Sequence, residues 1–114
     1  MKNKQQAEIA TLLIGATSLI FVTYLWTTPF ILTAILIALG VLMLGLSKRL
    51  DDILLFILAG VSGALAEIYG ISHGAWAYAN PTFFGIPIWL PILWGVAGLY
   101  MRNLHSMIKR CIEK

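Results

Sequence analysis

Charged residues are scarce in this chain. Of its 114 residues, eight are Lys or Arg and five are Asp or Glu, so 11% are charged, against about 25% in an ordinary soluble domain. Hydrophobic residues make up 60%, and the mean hydropathy is +0.87. These values argue against a soluble globular domain. They also argue against disorder, which requires low hydrophobicity and high net charge. The length predicts a single domain over residues 1–114.

Cysteine is nearly absent as well. A single cysteine, Cys111, excludes a disulfide framework and any CxxC redox or zinc site. A metal site needs three or four ligands within reach of one another, and the sequence offers no such group, so we predict neither a metal nor a cofactor. The net charge of +3 does not indicate a nucleic-acid partner, because the basic residues lie beside apolar runs.

Four long apolar runs dominate the sequence. A membrane-spanning helix needs about 20 mostly apolar residues, and the runs predict helices at about 9–26, 30–46, 53–71 and 86–104. The expected fold class is therefore an all-α integral membrane protein, a small bundle of four transmembrane helices. Pro29 suits the first turn of the second helix. Asp51 and Asp52 precede the third helix and are predicted to cap it.

The basic residues are distributed on one side of the predicted membrane only. All eight lie in the N-terminal segment, in the loop at 47–52 or in the C-terminal segment, and the 27–29 turn and the 72–85 loop have none. Cytoplasmic segments of membrane proteins carry an excess of Lys and Arg. We therefore predict a multi-pass protein of the cell inner (plasma) membrane with both termini cytoplasmic and with membrane lipid as its immediate partner.

Glu67 is the one acidic residue within a predicted span. At 1.5 Å per residue it lies roughly 20 Å along the third helix from its cytoplasmic start, in the outer half of the bilayer. An ionisable group at such a depth is costly unless it is paired or protonated, which makes Glu67 a candidate functional residue. Desolvation there favours the neutral acid. The alternative is a neutral Glu67 that only forms a hydrogen bond across a helix interface.

Small residues share one face of the third helix with Glu67. The spacing of this set is 3, 4, 3 and 4, which places its members on one stripe; they are Gly60, Gly63, Glu67, Gly70 and Gly74. A stripe of small residues lets another helix approach closely, so Glu67 should face protein or a cavity. Pro87 and Pro91 shape the entry of the fourth helix, where backbone amides lack intrahelical partners.

Aromatic residues are concentrated toward the outer side. We predict an aromatic-walled pocket around Glu67, with candidate binding residues Trp76, Tyr78, Trp89, Trp94 and, in the same loop, His73. Aromatic rings stabilise a cation held over their faces. The alternative is ordinary anchoring of the rings at the membrane interface, and a polar interface role for His73.

The segment at about 67–94 resembles a motif in membrane proteins of carotenoid biosynthesis, the carotenoid hydratases and, more distantly, the lycopene cyclases. The resemblance is carried by Glu67-x2-Gly70-x3-Gly74-x-Trp76-x-Tyr78 and then Gly85-x-Pro87-x3-Pro91-x2-Trp94. That family protonates a double bond of a long apolar polyene, and water or proton loss quenches the carbocation. The resemblance implies that Glu67 is the catalytic general acid, with Gly70, Gly74, Tyr78 and Pro87 as framework.

Three functions compete at this stage, and whether the protein is an enzyme stays open. The first is action on, or binding of, an isoprenoid- or carotenoid-like lipid, with Glu67 as general acid. The second is a small proton-coupled multidrug-type transporter, although in such transporters the membrane Glu lies in the first helix. The third is a non-enzymatic scaffold subunit. A homo- or hetero-oligomer is expected, because four helices enclose little volume and the stripe at Gly60 and Gly63 offers a packing face within or between chains.

Overall fold

Four long α-helices make up most of the chain. The computed structural model describes residues 2–113 and contains α1 (Lys2–Leu25), α2 (Pro29–Ser47), α3 (Leu50–Ser72) and α4 (Leu90–Glu113). Three segments of the described residues are long and apolar enough to cross a membrane: Asn3–Leu25, Pro29–Ser47 and Leu50–Ser72. The expectation of an all-helical protein with membrane-spanning helices is confirmed for these three segments. The fourth helix, α4, is not apolar enough over its length to count as a span.

The bounds of α4 differ most from the sequence prediction. The helix begins at Leu90, four residues later than expected, because residues before it form a turn in which the Ile86 amide donates to the Phe83 carbonyl at 2.8 Å. Pro91 then occupies the first turn, where its missing N–H removes no intrahelical bond. The helix continues to Glu113 rather than to residue 104, because no Gly or Pro interrupts residues 101–113.

The helices form a bundle in which α4 contacts all three others. It packs most extensively against α3 and also against α1 and α2, while α1 packs against α2. Over the described residues, no Cα atom of α1 comes within 8 Å of a Cα atom of α3. The bundle measures 45 × 27 × 23 Å, and its length matches a bilayer with its headgroup regions, about 40–45 Å.

The main core includes residues from outside the helices. Ile86 and Trp89, which precede α4, are buried together with Leu32 and Leu36 of α2 and with Ala64 of α3. A non-helical segment therefore inserts between helices at the end where α3 stops and α4 starts. A second, smaller cluster of Met43, Val96 and Leu99 lies further along the bundle.

The glycines of α3 let α4 approach closely within the same chain. A Cβ atom at Gly60 would lie 2.8 Å from the Pro91 carbonyl oxygen, and one at Gly63 would overlap the indole ring of Trp94. Gly74 does not share this role. It has a φ of +79°, follows the end of α3 and has no neighbour within 4 Å of an added Cβ. The stripe thus packs α3 against α4, and the predicted oligomer stays a prediction.

Charged side chains connect the helices at the opposite end of the bundle. The predicted N-cap of α3 is wrong, because Arg49 occupies that position and no side chain caps the helix, whereas the predicted negative charge at the start of the helix is confirmed: Asp51 and Asp52 lie in its first turn. Asp52 is instead fully buried and pairs with the Arg102 guanidinium of α4. Glu8 of α1 accepts hydrogen bonds from both terminal nitrogens of Arg110, one of them at 3.0 Å. The N-terminal parts of α1 and α3 are therefore both joined to α4 by ion pairs.

Candidate functional site

Glu67 lies near the end of α3 and accepts three hydrogen bonds. Its Oε1 accepts from Trp76 Nε1 at 2.7 Å. Its Oε2 accepts from the Tyr78 hydroxyl at 2.8 Å and from Trp94 Nε1 at 3.0 Å. Two of these donors belong to the loop between α3 and α4, and the third belongs to α4. The carboxylate is therefore the point on which three separate parts of the chain converge.

Two glycines of α3 provide the room for the two indole rings. A Cβ atom at Gly63 would overlap the ring of Trp94, and one at Gly70 would overlap the ring of Trp76. Gly63 and Gly70 lie one turn before and about one turn after Glu67 on the same face of the helix. The indoles can therefore lie flat against α3 and direct their N–H groups to the carboxylate between them.

The three partners of the Glu67 carboxyl group are hydrogen-bond donors. An indole N–H is a donor only, and each carboxylate oxygen faces one indole. Hydrogen bonds donated to a carboxylate stabilise its charged form. Burial, and then the hydrogen bond and negative charge of Glu67, raise the pKa of Tyr78, so that its hydroxyl keeps its proton and can donate it to Glu67.

Glu67 also lines a large apolar cavity, which we call the α1–α3 groove. It has a volume of about 500 Å³ and is bounded by α1 on one side, by Glu67 of α3 on the other and by α4 beneath. Its lining residues are Gly15, Ala16, Leu19, Val22, Glu67, Tyr78, Trp89, Leu90, Leu93, Trp94, Val96, Ala97 and Tyr100. The groove exists because α1 and α3 both pack on α4 without contacting each other.

Trp89 separates this groove from a second cavity. The second cavity has a volume of about 260 Å³ and is lined in part by Trp26, Asn80 and Pro87. Tyr78 and Trp89 line both cavities and meet edge to face, with ring centroids 6.3 Å apart. The indole N–H of Trp89 is buried and has no acceptor among the described residues.

The structure brings together most, but not all, of the predicted site residues. Trp76, Tyr78 and Trp94 donate to Glu67, and Trp89 lines the groove without bonding to it. His73 lies elsewhere. Its exposed ring is 4.4 Å from the Tyr69 ring, and its Nδ1 lies 2.9 Å from the Tyr69 carbonyl oxygen. The functional roles assigned to these residues stay predictions.

Sequence reasoning missed the wall of the groove that α1 contributes. Gly15, Ala16 and Leu19 of α1 face Glu67 across the groove, and Tyr100 of α4 lines it further along. The adjacent small residues Gly15 and Ala16 were the available signal, because small residues in a membrane helix mark a site of close approach. An added Cβ at Gly15 would lie against the ring of Tyr100.

Among the residues that the structure describes, no group of three His, Cys, Asp or Glu side chains lies close enough together to hold a metal ion. Comparison of the chain with models of known protein families, with curated proteins and with solved structures finds no significant match.

Proposed function

We propose that this protein binds a long apolar, isoprenoid-like lipid in the α1–α3 groove. The observation that carries the proposal is the groove itself, about 500 Å³ in volume, with Glu67 as its one charged lining residue. Ligand sites are typically concave and mostly apolar, with a few convergent polar groups, and have volumes of roughly 300–1,000 Å³. The groove has each of these properties.

The position of the groove supports entry of the ligand from the side of the bundle. Ala16 and Leu19 on its α1 wall are exposed, Leu19 by 59%. In a membrane, such side chains face lipid. A ligand dissolved in the bilayer can therefore reach Glu67 between α1 and α3 without crossing water, as an apolar lipid requires.

The proposed topology is four crossings of the cell inner (plasma) membrane with cytoplasmic termini. From Asp52 to Ser72, α3 rises about 30 Å, the thickness of the hydrocarbon core. From Leu90 to Arg102, α4 rises only about 18 Å, so we assign the rest of this crossing to the buried segment 86–89. Non-helical backbone is tolerated at membrane depth where it is buried in protein, as Ile86 and Trp89 are.

The role of Glu67 in this proposal is to recognise a ligand rather than to donate a proton. The resemblance to carotenoid hydratases implies a general acid, which must carry a proton on an oxygen directed at the substrate. Three donated hydrogen bonds support a fixed anion instead. We therefore propose that Glu67 binds the ligand without a catalytic step. We also propose that any oligomer is an assembly of chains that each contain a complete site.

A paired substitution tests the groove. All-trans-retinol, a fluorescent polyene, should bind the protein in neutral detergent and show energy transfer from tryptophan. Ala97→Phe fills the groove and should weaken binding at least about tenfold, which corresponds to about 1.4 kcal/mol. Ala34→Phe, on an exposed face of α2, adds the same ring outside the groove and should leave binding unchanged. Equal binding by the two variants, or no saturable binding by the wild type, would refute the proposal.

A further inference from the structure

We infer that the ligand of the α1–α3 groove is an amphiphilic cation, with an ammonium group at Glu67 and a hydrocarbon chain along the groove. This inference rests on the proposed function and specifies the chemical class of the ligand. It follows from the charge of the site, from the free acceptor capacity of the carboxylate and from the lining of the groove.

The charge of Glu67 has no counterpart in the described part of the chain. Three of the four other acidic side chains there pair with arginine: Glu8 with Arg110, Asp51 with Arg49 and Asp52 with Arg102; the fourth, Glu113, is exposed at the end of α4. Glu67 forms no such ion pair, and its three partners are neutral donors. The hydrogen bonds stabilise an anion and leave its charge uncompensated.

An uncompensated charge at membrane depth is costly, and charged groups there are usually paired. Neutral donors replace part of the lost hydration of a carboxylate but supply no opposite charge. A positively charged ligand removes this cost, and its attraction to Glu67 is strong because the surroundings are apolar. A neutral lipid can donate a hydrogen bond to Glu67 but leaves its charge uncompensated, and an anionic lipid is repelled by it.

The carboxylate has acceptor capacity for a further donor. A carboxylate offers about four acceptor positions, and the described contacts use one at Oε1 and two at Oε2. An ammonium N–H can therefore bond to Oε1 without displacing either indole. Tyr78, Trp94 and Tyr100 line the same groove, and aromatic rings add attraction for a cation held against their faces.

The rest of the groove determines the rest of the ligand. Apart from Glu67 and the polar edges of its aromatic residues, the lining consists of Gly, Ala, Leu and Val side chains. A small hydrophilic cation would lose its hydration there without replacement. An alkyl or isoprenoid chain attached to the ammonium group buries apolar surface against this lining instead.

Three probes with one chain and different head groups test the inference: farnesylamine, farnesol and farnesoic acid. Each is titrated against retinol-loaded wild-type protein in neutral detergent, and displacement of retinol is measured. Farnesylamine should displace retinol at a concentration at least about tenfold lower than farnesol, because only the amine adds an opposite charge beside Glu67 in apolar surroundings, and farnesoic acid should be the weakest. Equal potency of amine and alcohol in the wild type overturns the inference.

Two variants separate this inference from the proposed function. Glu67→Gln removes the charge, so it should retain farnesol binding and lose the preference for the amine; a retained preference contradicts the inference. If Glu67→Gln does not fold, the wild-type probe series alone decides. Ala97→Phe, titrated directly with each probe and followed by its tryptophan fluorescence, should bind all three more weakly and to the same extent. The comparison of wild type with Glu67→Gln controls for partition of the amine into micelles, because the micelles are the same in both titrations. Failure of every probe to displace retinol refutes the proposed lipid site, whereas displacement without regard to charge refutes only the cation.

Discussion

Glu67 of α3 holds the α3–α4 loop and α4 in place through its hydrogen bonds. The Trp76, Tyr78 and Trp94 donors come from positions up to 27 residues away in sequence. Hydrogen bonds to a charged acceptor contribute more to stability than neutral ones, about 1.5–3 kcal/mol each. The carboxylate therefore has a structural effect that does not depend on the proposed ligand.

Replacement of one donor measures that effect. Tyr78→Phe removes a hydroxyl that donates to Glu67 at 2.8 Å and should lower the free energy of unfolding by about 1.5–3 kcal/mol. Tyr24→Phe removes the same atom from a side chain that is 78% exposed and should change it by less than about 0.5 kcal/mol. Denaturant titration in detergent compares the two. A Tyr78→Phe variant as stable as Tyr24→Phe would show that the bond does not stabilise the fold.

At the scale of the elements, the α3–α4 interface depends on glycine. Gly63→Ala places a methyl group against the Trp94 ring and should destabilise the protein by about 1–3 kcal/mol through overpacking. Gly45→Ala in α2 meets nothing within 4 Å and should be neutral or stabilising by up to about 1 kcal/mol. Thermal unfolding followed by circular dichroism distinguishes them, and two variants of equal stability would contradict close packing at Gly63.

The polar half of α4 depends on a buried ion pair. Asp52→Asn leaves the Arg102 guanidinium without its charged partner and should cost about 3–5 kcal/mol. Asp51→Asn changes an exposed aspartate that lies 3.4 Å from Arg49 and should cost no more than about 1 kcal/mol. The yield of folded protein and its unfolding midpoint give the comparison. Similar losses in both variants would argue against a buried pair between α3 and α4.

At the scale of the whole molecule, orientation in the membrane is the property to test. With cytoplasmic termini and an outer α1–α2 turn, Thr28→Cys in a Cys111→Ser background should react with an impermeant thiol reagent added to intact cells. Native Cys111 should react only after the membrane is opened. Labelling of Cys111 from outside intact cells would show that the orientation is the opposite of the proposed one. The Glu67 site would then lie in the inner half of the bilayer.

The sequence by itself determined the all-helical, membrane-compatible architecture and singled out Glu67. Apolar runs of 17 or more residues have few alternatives to membrane helices, and a single acidic residue among them is conspicuous because its burial is costly. The glycine spacing correctly indicated a close helix approach on the Glu67 face, since that spacing follows from helix geometry alone.

Only the tertiary structure decided which groups meet. Whether Gly63 packs against its own chain, whether Asp52 caps a helix or pairs with Arg102, and which indoles reach Glu67 all depend on distances between segments far apart in sequence. The α1–α3 groove is the clearest case, because it results from two helices that pack on α4 and do not touch each other. Helix periodicity describes each helix separately, whereas a cavity is formed by the space that several helices leave between them.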